Sequence, residues 1–195
     1  MTAIAAVVHD GRVHIGGDSA GVGGYDLTVR KDVKVFTHPQ RAPGREEIAG
    51  FWAMGYTTSF RMGQVLQYAF VPPVLADGED VHRFMCTTFV DELRTTFKDA
   101  GWARSDSGVE ETGQFLVGVR DRLFIVDSDY QIGESADGYA AVGCGADLAL
   151  GSLHTTRGMD LKPRRRLKLA LAAAAHHSAG VIAPFIYART AGGTP

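Results

Sequence analysis

The order in which two hydrophobic periodicities follow one another constrains this chain more than any single residue does. Strand-like stretches come first, then two helical ones, then strands again, then two more helices and a last strand. Alternating β and α units would imply a parallel, doubly wound sheet. Segregated runs instead imply stacked sheets flanked by helices.

Residues 2–8 alternate loosely in Ala, Ile and Val, Asp10-Gly11 is a hairpin signal, and residues 12–15 alternate again up to Gly16-Gly17-Asp18. Glycines 16, 17, 21, 23 and 24 mark an irregular turn, residues 33–36 a short strand, 39–45 a polar loop and 48–54 a third apolar strand. Phe60, Val65, Leu66, Ala69 and Phe70 fit helical spacing until Pro72-Pro73. Val81, Phe84, Met85, Phe89, Leu93 and Phe97 continue a three-four repeat that predicts an amphipathic helix with an aromatic core face. A polar loop at 101–111 precedes four strands at 114–119, 123–126, 131–133 and 139–142. Helices are expected at 148–154 and at 167–177, the second entered through Pro163. Residues 181–187 read as a strand near an edge because of Pro184, and about 190–195 as a flexible tail. With 195 residues, 45% of them hydrophobic, the chain is read as one domain over 1–195.

A net charge of −2 excludes a polyanion-binding footprint, and Arg164-Arg165-Arg166 reads as a solvated helix start. Cys86 and Cys144 are too few for a metal framework, and adjacent helical histidines such as His176 and His177 diverge by about 100°. No metal and no cofactor is therefore expected. No apolar run reaches the roughly eighteen residues of a membrane span, and Asp10, Gly11 and Arg12 interrupt any signal-like segment. The expectation is a cytoplasmic protein with neither nucleic-acid nor membrane partners.

Thr2 follows an initiator methionine that aminopeptidases remove when the next residue is small. A terminal threonine carries its own base, an α-amine with a reference pKa of about 7.7–8.0. Such a nucleophile needs a lysine, a carboxylate to hold it and backbone N–H groups for the oxyanion. Lys34, Asp18 and the N–H of Gly55, between an apolar strand and a helix, are the candidates.

The stretches TAIAAVVHDGRVHIGGDSAGVGG, VRKDVKVF, IAGFWAMGYTTSF and YAAVGCGADLALGSL resemble the proteasome β-subunit-like N-terminal-nucleophile hydrolases, including the peptidase subunit of the bacterial two-component ATP-dependent protease. The resemblance implies an α+β, four-layer αββα sandwich and a threonine-type peptidase acting through an acyl-enzyme on Thr2. It also implies a nucleophile–aspartate–lysine set of Thr2, Asp18 and Lys34, and self-association into rings around peptide or protein substrates. An ATP-dependent unfoldase is the partner the resemblance suggests. Val22 stands at the family's substrate-edge threonine.

Two departures bear on activity. Cys144 replaces the family's serine beside the terminal amine, and a thiol is a weaker donor and acceptor than a hydroxyl. Ser178 with Gly180 supplies the late serine, but its acidic partner falls at Ala175 or His176. A non-catalytic ring or shell protein and a small-molecule amidase are the alternatives.

Overall fold

The computed structural model describes residues 1–41, 44, 48–106 and 108–191. Of the tail expected at about 190–195, residues 192–195 lie outside the described residues, as does most of the expected loop beyond Arg41. Thr190 is buried and Ala191 bridges Phe51, which corrects the expectation for those two.

The chain opens with the hairpin β1 (Ile4–His9) and β2 (Arg12–Gly17). Asp10 and Gly11, with φ of 47° and 66°, form its turn. A second hairpin, β3 (Ala20–Gly23) and β4 (Asp26–Val29), occupies the stretch expected to be an irregular turn. All four β4 residues are exposed, so no buried face marked it in the sequence. β5 (Val35–Arg41) starts after Lys34 and runs through Pro39. A loop was expected from residue 39, but β5 is an edge strand, where a proline without an N–H is tolerated.

After β6 (Ile48–Tyr56) come α1 (Phe60–Tyr68), capped by Ser59, then α2 (Val81–Phe84), a π turn (Met85–Phe89) and α3 (Val90–Asp99). The π turn sits inside the single helix expected here. The short hairpin β7 (Arg104–Asp106) and β8 (Val109–Glu111) corrects the loop expected at 101–111. β9 (Phe115–Val119), β10 (Arg122–Val126), β11 (Ile132–Glu134) and β12 (Tyr139–Val142) match the four expected strands. α4 (Ala146–Thr155), α5 (Pro163–His177) and β13 (Ile186–Arg189) complete the chain. β13 starts five residues later than expected and is an edge strand.

One sheet has the order β12-β1-β2-β13 and the other β11-β10-β9-β6-β5. Every described strand pair is antiparallel, which excludes a doubly wound parallel sheet among the described residues. Ile4, Ala6, Val13 and Ile15 meet Val35, Ala53 and Leu116 in a cluster that joins the two sheets. The other face of β1, with Ala3, Ala5 and Val7, packs on Leu153, Leu167, Leu171 and Ala174 of α4 and α5. β1 is thus apolar on both faces, which is why its alternation is loose. A third cluster joins β6 and β9 to α1 and to the π-turn helix, with the Trp52 and Phe89 rings stacked at 5.6 Å.

His38 on β5 is buried in that third cluster between Phe36 and Phe70, and its Nε2 donates to the Leu66 carbonyl at 2.7 Å. Burial lowers its pKa below the ordinary 6.5, against a smaller opposing effect of the Leu66 carbonyl. The folded state therefore binds this proton less readily than the unfolded chain. The resulting stability is complete above pH 6.5 and is lost as pH falls toward the lowered value. His38→Gln keeps a donor without titrating, so its urea midpoint is expected to fall less than the parent's between about pH 7 and pH 5. Parallel pH profiles for the two proteins would remove His38 as the cause.

Candidate active site

The first hairpin brings Thr2 and Asp18 to the same end of a sheet. Ile4 pairs with Gly17, and just beyond that pair the Asp18 N–H donates to the Ala3 carbonyl at 3.2 Å. Lys34 reaches the same point from the edge of the opposite sheet, immediately before β5. The side chains of Asp18 and Lys34 are 0% and 2% exposed, so their charges need internal partners.

Those partners are present. Asp18 Oδ1 accepts from Lys34 Nζ at 2.9 Å and from the Ala3 N–H at 3.1 Å. Its Oδ2 accepts from the N–H groups of Ala20 at 2.8 Å and Ile182 at 3.3 Å. Lys34 Nζ also donates to Thr2 Oγ1 at 2.9 Å. Burial pushes the Lys34 pKa down, while Asp18 acts against it and Arg30 adds to the lowering. Arg30 is itself paired with Asp32 at 2.8 and 2.6 Å and stacked 3.9 Å from the Phe60 ring, which in turn lies 5.6 Å from Lys34 Nζ.

Cys144 and Ser178 flank Thr2 on the other side. The Thr2 N–H donates to Cys144 Sγ at 3.3 Å, and that sulfur lies 3.5 Å from Ser178 Oγ. The turn between β12 and α4 holds the Thr2 backbone through the Gly145 N–H, which donates to the Thr2 carbonyl at 3.2 Å. Gly143 in that turn has φ 98°, and a Cβ there would lie 2.3 Å from the Thr2 carbonyl oxygen, so only glycine fits. With Met1 attached, the Thr2 nitrogen is an amide, and the Met1 carbonyl accepts from Thr2 Oγ1 and, at 3.5 Å, from Lys34 Nζ.

Of the residues singled out in the sequence, Thr2, Asp18, Lys34, Cys144 and Ser178 form this one cluster. Val22 lies nearby on β3, in the wall of a cavity of about 340 Å³ that also includes Arg30 and Phe60. Gly55 corrects an expectation. It is an interior residue of β6 between Val35 and Leu116, and a Cβ there would lie 2.6 Å from Ile4 Cγ2. Its smallness serves contact between the sheets and presents no exposed N–H.

The loop that follows does lie beside Thr2, because the same position above Gly143 is 3.2 Å from Thr57 Oγ1. In it, the N–H groups of Thr57 and Ser59 donate to Gln114 and Thr57 carbonyls, and Thr58 has φ 73°. Thr58 carried no sequence signal, because nothing local marks a left-handed threonine. The Ile182 N–H was equally hidden, lying 164 residues from Asp18.

Among the described residues, no group of three or more His, Cys, Asp or Glu side chains is placed to hold a metal ion. His176 and His177 stand with rings perpendicular in the last turn of α5. Cys86 and Cys144 are free thiols, and no described helix is long and apolar enough to cross a membrane.

No protein-family model and no curated protein matches the sequence. Solved structures do match the fold. Thiobacillus denitrificans BPH in complex with epoxomicin superposes with a TM-score of 0.73 at 20% identity, over 96% of this chain and 97% of that one. Eukaryotic HslV from Trypanosoma brucei gives 0.62 at 14% identity, over 96% and 98%. The Anbu complex of Pseudomonas aeruginosa, solved as a helical assembly, gives 0.64 at 14% identity, over 96% and 80%. Nearly the whole chain thus has the fold of the proteasome β-subunit-like N-terminal-nucleophile hydrolases.

Proposed function

We propose that the chain is a threonine-type peptidase whose nucleophile is the hydroxyl of Thr2, active once Met1 is removed. The observation that carries this reading is the buried Lys34 ammonium, fixed by Asp18 and presented to the Thr2 hydroxyl at 2.9 Å. Burying such a set is costly, and a shell protein without chemistry has no need of it.

In this reading the freed α-amine of Thr2 takes the hydroxyl proton, and Lys34 stabilises the alkoxide as it forms. The oxygen attacks the scissile carbonyl carbon, and the carbonyl π pair moves onto its oxygen. The Thr58 N–H, in the loop beside Thr2, is the donor proposed for that oxyanion in place of Gly55. The tetrahedral intermediate collapses as the α-ammonium protonates the leaving nitrogen, leaving an ester on Thr2. Water, deprotonated by the same amine, then hydrolyses the ester. Cys144 and Ser178 sit where they can pass protons to and from that amine.

The family resemblance extends the proposal to a four-layer αββα sandwich, supported by three apolar clusters that alternate with two sheets. It also extends to a cytoplasmic, self-associating assembly, ring-shaped by resemblance, acting on peptide or protein substrates, with an ATP-dependent unfoldase as candidate partner. The epoxomicin complex of BPH supports the peptidase class, and the helical Anbu assembly supports self-association.

Native protein is expected to lose the mass of Met1 and to be labelled on Thr2 by a mechanism-based threonine-protease inhibitor. A variant with an uncleavable N-terminal extension should not be labelled; equal labelling of both would eliminate the terminal-amine mechanism. Thr2→Ala should lower peptide turnover by a factor on the order of 10³ or more, and Thr2→Ser should retain part of it. Cys144→Ser should raise turnover, because a hydroxyl donates and accepts better than a thiol; an unchanged rate would place Cys144 outside the proton path. Gly143→Ala should displace Thr2 and cost about 1–3 kcal/mol in urea unfolding, and a neutral effect would contradict the tight contact.

A further inference from the structure

A second concave site lies away from Thr2. It is a cavity of about 580 Å³ between the start of α5 and the edge strand β13, within the range of about 300–1,000 Å³ usual for small-molecule sites. Phe51, Leu167 and Tyr187 give it an apolar lining, whereas Lys162, Arg164 and Arg189 bring cations to it. Its lining contains no carboxylate, and none of these three cations has an ion-pair partner among the described residues. Arg164 instead lies 5.0 Å from the centroid of the Tyr187 ring.

One further feature raises the positive potential. Lys162 is the N-cap of α5, a fifteen-residue helix with no acidic residue in its first turn, so the positive end of the helix dipole is uncompensated there. His14 also lines the cavity; burial first and Arg189 second lower its pKa, which disfavours its charged form, so the positive charge there comes from the lysine and the arginines. A neighbouring groove of about 480 Å³ shares His14, Lys162, Pro163 and Arg189 and is lined further by Arg12, Asp10 and Asp160.

We infer that this cavity binds a small amphipathic organic anion, its apolar body among Phe51, Leu167 and Tyr187 and its anionic head at Arg189 and Lys162. An apolar floor alone would accept a neutral hydrocarbon chain as well. The unpaired cations select for the negative head, and the cavity's own lining offers no carboxylate to a cationic one; Asp10 and Asp160 belong to the neighbouring groove. The inference is independent of the peptidase reading, because none of its residues contacts Thr2, Asp18 or Lys34.

The probe is decanoate, titrated calorimetrically into the native full-length protein, with decanol and decyltrimethylammonium as the neutral and cationic counterparts. Decanoate should bind saturably at one site per chain, more tightly than decanol, with no uptake of the cation, and should weaken as salt rises. Arg189→Glu should weaken it about tenfold or more. Thr37→Trp, an exposed wall position on β5, should block the cavity without altering its charge. Circular dichroism melting of both variants establishes that they are folded. Protein labelled at Thr2 should bind decanoate as the unlabelled protein does. Equal affinity in the parent and both folded variants, equal affinity for the three probes, loss of binding on Thr2 labelling, or no saturable decanoate uptake would each overturn the inference.

Discussion

The carboxylate of Asp18 is the constraint on which the rest of the site depends. Four donors converge on it: the ammonium of Lys34 and the N–H groups of Ala3, Ala20 and Ile182. Each comes from a different part of the chain, so one side chain registers the start of β1, the start of β3, the segment before β13 and the approach to β5. A buried ion pair of this kind is weak as a source of stability, because desolvation offsets the attraction. Its effect here is geometric. It holds a cation whose charge burial disfavours at a fixed distance from one hydroxyl.

The opposite wall works differently. The turn from β12 into α4 fixes Thr2 through backbone contacts, and side-chain chemistry enters only through Cys144 and Ser178. Charge on one side and close packing on the other leave Thr2 little freedom to rotate. The site is therefore preorganised by two parts of the fold that share no residues.

How much of this was legible follows from how far each signal reaches along the chain. The first hairpin was readable because Asp10-Gly11 determines the turn, and the turn determines that residues 2 and 18 are neighbours. Lys34 was identifiable by its spacing, although no local pattern distinguishes it from a solvated lysine. The β3–β4 hairpin was missed because its second strand buries nothing, and β5 was cut short because Pro39 signals a break except at an edge. Gly55 was misassigned for a related reason. A glycine before a helix suggests an exposed N–H, whereas here it is set by Ile4 on the facing sheet, 51 positions away in sequence. Contacts such as Asp18 with Ile182 have no local trace at all.

The π turn in the helix that covers the second sheet affects how chain length can vary. Met85, Phe89, Leu93 and Phe97 are all fully buried at a constant spacing of four. In an uninterrupted α-helix that spacing would drift by about 40° per step and carry Phe97 about 120° around the axis. The wider turn takes up part of this drift, with Cys86, Thr87 and Thr88 exposed on its outer side. One residue lost from those three converts the π turn to an α turn and leaves the flanking halves in phase with the sheet. The same deletion elsewhere in the rod rotates everything beyond it by about 100°. Tolerance to a change in length is thus confined to one turn.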